Sequence, residues 1–318
     1  MSARSQLTQT PAIADGGQVP AEVARAGRGE EIEPRRRRRM ELTPYLLLLP
    51  ATLFLAVFFL WPMVQALVLA LQDSAGTFTL DNLRRMVNDV NFADAVRNTL
   101  VLLAVIVPLQ VVVALIMALL INAGLRFRGV YLYIWTIPLA ISDLAAGIVY
   151  LAIFTERGYL NSFLSQLGLI DFPISFLSYE NPSGIFIAIV AAEVWRATAI
   201  VFVILVAGLQ MIPKDYEEAA SVFGASAWQR LWNVTLPLLR PSLQVALILR
   251  TILAFQVFAV VVALAGRTMP VLAGEAYYWY GYRNLGVAAS YAMLILVLSL
   301  VNTAIYLRVL RTRTEELA

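Results

Sequence analysis

Four ionisable side chains are embedded in apolar sequence: Asp143, Glu193, Arg196 and Arg250. Charges in such surroundings are expensive and face a bundle interior or a wet cavity. Glu193 and Arg196 stand three residues apart, on one face of a helix. They can neutralise each other, tie their helix to a neighbour through Asp143 or Arg250, or offer hydrogen bonds to a polar solute. Trp195 lies between them, about 100° around the helix from Arg196, so it cannot share the face of both charges equally. Either the charges line a cavity and the indole packs, or the reverse. Glu193, Trp195, Arg196, Asp143 and Arg250 are therefore the candidate lining of a solute path. Catalysis is a poorer reading. The chain has no histidine and no cysteine, which removes disulfides, thiol nucleophiles, histidine metal sites and histidine acid–base chemistry. The remaining acids do not form a tight constellation by spacing. The one lysine, Lys214, is followed by Asp215 without a glycine-rich turn, so the chain has no loop to cradle phosphates. Uphill movement of a solute would take its energy from a partner or an ion gradient.

A second constellation is polar and spaced differently. The segment Glu217 to Pro241 reads EEAASVFGASAWQRLWNVTLPLLRP. Glu218-Ala219-Ala220 is followed after three residues by Gly224, after nine more by Val234, and after one more by Leu236-Pro237. Ala219, Ala220, Val222 and Phe223 make a short apolar face. Gly224 permits a backbone conformation that stops a helix, and Pro237 and Pro241 are expected to close the segment. Trp228, Leu231 and Trp232 fall at helical spacing after the glycine. An apolar stripe alone would fit a helix lying on the membrane surface; the long gapped pattern goes beyond that.

The elements that must position these groups are membrane helices. The chain is 60% apolar and only 14% charged, with a mean hydropathy of +0.75, where soluble domains carry about a quarter charged residues. Residues 1–40, with almost no large apolar side chains, read as a disordered tail, and 41–318 as the membrane domain. Apolar runs follow at roughly 44–71, 98–122, 130–154, 184–209, 243–266 and 286–310. Each is long enough to cross about 30 Å of hydrocarbon. The first is too long and too far from Met1 for a cleavable signal peptide. With a cytoplasmic N-terminus, sixteen of the 24 basic residues fall inside and six outside, the run Arg35 to Arg39 counting most. The positive-inside rule thus favours both termini in the cytoplasm, residues 72–97, 155–183 and 267–285 outside, and the loop 210–242 inside. The +3 net charge is a topology signal, not a nucleic-acid surface.

The gapped pattern resembles the EAA loop of the membrane-spanning subunits of bacterial ABC importers. Smaller matches follow in order: Leu80-Asp81-Asn82-Leu83, Arg97-Asn98-Thr99-Leu100, Ile137-Pro138, Gly158-Tyr159-Leu160-Asn161, Glu193-Val194-Trp195-Arg196, and the stretch Ala276 to Tyr291. They cover roughly residues 41–312 and are similar to the carbohydrate-uptake branch, of maltose, trehalose and glycerol-phosphate type. Two departures fall near the expected solute route: the turn Gly266 to Pro270 is poor in glycine, and Ala199 stands near where a proline often follows the fourth-span tryptophan.

The resemblance implies an all-α, six-span type-I permease bundle in the bacterial cytoplasmic membrane, with a cytoplasmic EAA coupling loop. Glu218, Ala219, Ala220, Gly224, Trp228 and Pro237 would couple it to a separate ATPase. Its partners would be a second permease subunit, two ATPase subunits that carry the ATP and Mg, and an extracytoplasmic solute-binding protein. The chain would be no enzyme and would bind no cofactor or metal; it would form half of the path for a sugar or related polar solute. Trp195 and the aromatic cluster Tyr277 to Tyr282 would then be candidate sugar platforms, against an interfacial belt or a docking surface for the cluster. The alternatives are an importer of a non-sugar solute and a proton-coupled secondary transporter, for which internal repeats are missing.

Overall fold

The computed structural model describes residues 43–73 and 75–309. The tail 1–40, with Arg35 to Arg39, lies outside the described residues. The chain divides at Val57 and Phe58 into two compact units. A π-helical turn, Ala56–Leu60, spans that division, and the described part of the first unit ahead of it is one apolar helix, α1 (Thr43–Leu55). Its Thr52 hydroxyl donates to the Leu48 carbonyl at 2.9 Å, which satisfies the hydroxyl within the helix.

The second unit holds α2 (Trp61–Ala70), α3 (Asp81–Val87), α4 (Phe92–Asn122), α5 (Arg128–Thr136), α6 (Asp143–Phe154), α7 (Tyr159–Gln166), α8 (Pro182–Gln210), α9 (Lys214–Val222), α10 (Ala227–Arg230), α11 (Leu236–Phe255), α12 (Ala259–Ala265), α13 (Leu272–Gly281) and α14 (Leu285–Val309). Among the described residues, five helical runs are long and apolar enough to cross a membrane: Leu46–Ala70, Phe92–Asn122, Pro182–Gln210, Ala227–Phe255 and Leu285–Arg308. A bent pair, Arg128–Ala140 with Asp143–Gln166, its halves at 101°, passes the same test when taken together and makes a sixth candidate span. Helices are what apolar sequence must form in lipid, because every backbone N–H and C=O then finds a partner within its own segment.

Two of the expected runs are built differently from a single helix. The run 130–154 breaks at Ile141 and Ser142. A 3-10 turn over Ile137–Ala140 carries Pro138, and Ser142 then starts α6 as its N-cap, its hydroxyl accepting from the Ala145 N–H at 3.2 Å. The run 243–266 also breaks, at Gln256 to Phe258, between α11 and α12. Nor do Pro237 and Pro241 close the loop segment: the helix runs through both. Pro237 occupies the first turn of α11 and Pro241 lies inside it. The π-helical turn Leu231–Thr235 ahead of them loosens the hydrogen-bond ladder where proline cannot donate.

α8 is the central helix. Over its most apolar stretch 56% is buried, against 28% for α4 and for α14. Small residues line its contacts, as packing in lipid requires. Ala188 and Ala192 meet Leu102, Ile106, Val260 and Val261. Toward the other end Val201, Phe202 and Leu205 pack on Ala114, Ala118 and Ala246. A Cβ on Gly208 would overlap the Ser242 side chain, so α8 and α11 approach there as closely as glycine allows. A third cluster, Met86, Ala95, Leu272, Val287 and Tyr291, joins α3, α4, α13 and α14.

Candidate functional site

The embedded charges form one connected network across four helices. Glu193 on α8 receives Arg250 Nη2 from α11 at 2.8 Å, and both side chains are buried. Arg250 Nε donates to the Gln110 side-chain carbonyl on α4. Gln110 Nε2 donates to the Glu193 backbone carbonyl at 2.8 Å. Arg196, one turn along α8, reaches Asp143 at the start of α6 at 2.9 Å and Glu193 Oε2 at 3.7 Å. Two carboxylates thus face two guanidiniums, and the cluster is neutral. Exposure divides it: Glu193 and Arg250 are sealed inside this chain, whereas the Asp143 side chain is 46% exposed and Arg196 18%. A solute moving along the surface of this chain would meet Asp143 and the edge of Arg196 first. Two buried atoms in the network have no protein partner, Glu193 Oε1 and Arg196 Nε. One accepts and one donates, so together they suit a water or a hydroxyl group. Trp195 turns away from the charges. Its ring lies 5.9 Å from that of Tyr150, and it is 38% exposed.

Sequence reasoning brings four of these five charge-network members forward and misses Gln110. A single amide in the run from Val101 to Leu120 looks tolerable in isolation; the signal is that an uncapped amide in lipid must find a buried partner. It also misses a polar cluster at the α3 end of the bundle. Arg267, in the loop after α12, pairs with the fully buried Glu275 on α13 at 2.5 Å. It lies over the ring of Tyr278, 5.0 Å from its centroid, and donates to the Tyr282 hydroxyl at 3.3 Å. The Glu275 carboxylate holds the Arg267 guanidinium above its ordinary pKa. Asp89, in the α3–α4 turn, accepts from Trp279 Nε1 at 2.6 Å and from the Tyr291 hydroxyl at 2.9 Å. So in the cluster 277–282 the indole of Trp279 is tied inward, while Tyr277, Tyr280 and Tyr282 stay more than half exposed.

The Glu218 segment is two short helices with a bend at the glycine. α9 ends in a Schellman turn: Gly224 has φ +80°, the Ala225 N–H bonds to the Ala220 carbonyl and the Gly224 N–H to that of Ser221, each at 3.0 Å. Two residues on, Ser226 and Gln229 form a reciprocal capping box that starts α10. Such tight caps hold the bend without any core beneath it. The surface they present is apolar: Phe223 is 90% exposed and Val222 84%. Trp228, also exposed, packs edge-on against Trp232 at 5.6 Å. Glu218 and Ala219 are exposed beside them. Pro237 lies in the continuous helix that carries this surface into the membrane. No group of three or more acidic side chains able to hold a metal ion occurs among the described residues.

The family model described as a binding-protein-dependent transport system inner membrane component matches residues 110–314. The trehalose/maltose transport system permease protein MalF of Thermococcus litoralis is 34% identical over 283 residues, 85% of this chain and 94% of that protein. The sulfoquinovosyl glycerol transport system permease protein SmoG of Agrobacterium fabrum is 30% identical over 286 residues, 86% and 91% of the two chains. A chain in the crystal structure of a bacterial ABC transporter involved in alginate import shares the fold, with a TM-score of 0.72 at 22% identity, over 86% of this chain and 96% of that one. A bundle built around one central helix, an exposed bent loop and a match over most of the membrane region agree: the chain belongs to the inner membrane components of binding-protein-dependent transport systems, the permease subunits of ABC importers.

Proposed function

We propose that this permease carries a sugar or a sugar-like polar solute into the cell and that α9 and α10 couple it to ATP hydrolysis on a separate subunit. Relatives that share about a third of its residues are permeases for trehalose/maltose and for sulfoquinovosyl glycerol, which supports the solute class. The chain supplies half of the passage and a second permease the other half. Two ATPase subunits bind the ATP and Mg, and an extracytoplasmic binding protein delivers the solute. The observation that carries the coupling is the exposed apolar surface of Val222, Phe223 and Trp228 on a pair of helices fixed by their own caps. Exposed side chains of this size, rimmed by polar groups, mark a protein interface. Glu218 beside them would meet a basic group in a partly desolvated groove, a charge-assisted contact worth about 1–3 kcal/mol. Ala219 and Ala220 leave room for the partner, and Gly224 sets the angle. On the solute side, Asp143 and Arg196 border the passage, Glu193 and Arg250 hold them in place, and Trp195 offers its ring to an adjoining face.

The test is an importer reconstituted from all its subunits. Glu218→Ala and Gly224→Asp should insert normally yet bind the ATPase several-fold more weakly, or hydrolyse ATP without uptake. Wild-type uptake in both variants would overturn the coupling role.

A further inference from the structure

A groove runs along the seam of α4 and α8, with a lining that includes no member of the charge network or of the α9–α10 surface. At the α3 end it opens as a cavity of about 660 Å³ between the beginnings of the two helices and the loop after α12. Arg97, Ser183, Tyr179 and Thr268 supply its polar rim. Arg97 is exposed and has no ion pair among the described residues. Deeper, the groove continues as a second hollow of about 510 Å³. Phe186 and Ile187 belong to both hollows. Below them Val105 and Leu109 form one wall, and Val190, Val194 and Trp195 the other.

We infer that this groove holds one anionic glycerophospholipid, its phosphate on Arg97 and an acyl chain laid between α4 and α8 as far as Trp195. Three features fix that occupant. From Arg97 to Leu109 the helix rises about 18 Å at 1.5 Å per residue, close to the depth of one leaflet, about half of a 30 Å hydrocarbon core. The groove is cationic and hydroxyl-bearing at one end only, and apolar along all the rest, which is the polarity order of a lipid. The guanidinium is the group suited to bidentate phosphate contact. Soluble sugars do not fit the deep part, where every lining side chain other than Trp195 lacks a hydrogen-bonding group. A lipid there would brace α8 beside its charges, so it bears on the helix that carries Glu193 and Arg196.

The experiment uses the intact importer in nanodiscs doped with a phosphatidylglycerol probe that carries a diazirine near the end of one acyl chain. After illumination, adducts are mapped by peptide mass spectrometry. A diacylglycerol with the same diazirine serves as the probe without phosphate. Adducts of the phospholipid probe should concentrate at Val105 to Leu109 and Val190 to Trp195. They should fall about tenfold with Arg97→Gln, the loss of one charge-assisted contact, and with Ala191→Phe, which fills the groove. The diacylglycerol probe should show no dependence on Arg97. Three results would each overturn the inference: adducts spread evenly over the lipid-facing helices, no change with Arg97→Gln, or a cysteine at Val105 that cross-links to the second permease in place of the lipid. Arg97 is an exposed side chain, so its variant reports even if Ala191→Phe fails to assemble.

Discussion

A buried carboxylate and guanidinium cost several kcal/mol each to desolvate, and only excellent geometry recovers that. The Glu193–Arg250 pair recovers part of it: a 2.8 Å ion pair, with Gln110 accepting from the same guanidinium and donating to the Glu193 backbone, and Glu193 Oε1 left without a protein partner. Removing one partner strands the other. Glu193→Gln or Arg250→Gln alone should therefore destabilise the permease by about 3–5 kcal/mol, while the double variant regains much of that loss. Asp143 and Arg196 predict the opposite pattern because neither is sealed inside this chain. The double variant Asp143→Asn with Arg196→Gln should keep near wild-type stability and ATP hydrolysis yet lose uptake. Thermal unfolding in detergent and solute uptake, measured on both four-member cycles, separate a structural pair from one on the solute path. Normal uptake in a stable Asp143/Arg196 double variant would remove that pair from the path.

The elements are locked to one another by polar groups at the α3 end, and there pH enters. Burial acts to raise the Asp89 carboxyl. The hydrogen bonds from Trp279, the Asn91 backbone and Tyr291, with the charge of Arg267, outweigh it and hold the pKa below the usual carboxylate range. A depressed carboxylate contributes stability that is fully present above its unfolded pKa of about 3.9 and is lost as pH falls through the folded value. Asp89→Asn should thus lower stability at pH 7 by about 1–3 kcal/mol, with the difference from wild type shrinking as pH drops below about 4. Unfolding midpoints over that pH range test it, and a difference that stays constant would show that the charge of Asp89 is immaterial. None of this lock was legible in the sequence. Arg267 and Glu275 are eight residues apart across a loop, and Asp89 meets α13 and α14 only after the chain has crossed the membrane several times; neither leaves a periodic trace. The α9–Gly224–α10 bend was legible because its signals are local: a glycine at a helix stop, with Trp228, Leu231 and Trp232 at helical spacing after it. Helical runs were legible as well, from apolar length alone. The breaks at Ser142 and Gln256 were not, since a helix continuing and a helix re-starting have the same composition. The prolines misled for a related reason. A π-helical turn upstream lets the helix pass Pro237, and nothing in the residues announces such a turn.

The orientation of the whole molecule is decided by where its positive charges lie. The described loops are balanced: Arg126, Arg128, Lys214, Arg230, Arg240 and Arg308 belong to the α9 end, and Arg84, Arg85, Arg97, Arg157, Arg267 and Arg283 to the α3 end. Arg267 is also committed to Glu275. The charge asymmetry therefore comes from the terminal arginines, Arg35 to Arg39 above all, which closely precede the first span in the sequence, where the positive-inside rule acts most strongly. The expected arrangement has both termini and α9 in the cytoplasm, where an ATPase can meet Phe223 and Trp228, and α3, α7 and α13 outside, where a binding protein can approach. The absence of native cysteine makes the test clean. Ser226 is a poor site for a label because it caps α10, but Asp215 on α9 and Glu180 ahead of α8 are exposed. In intact cells a membrane-impermeant maleimide should modify a cysteine at position 180 and leave one at position 215 untouched until the membrane is opened. Replacing Arg35 to Arg39 by glutamine should then produce a mixed population labelled at both positions, because the remaining loops no longer decide between the two orientations. Labelling at 215 alone in intact cells would invert the assignment and, with it, the placement of the coupling surface.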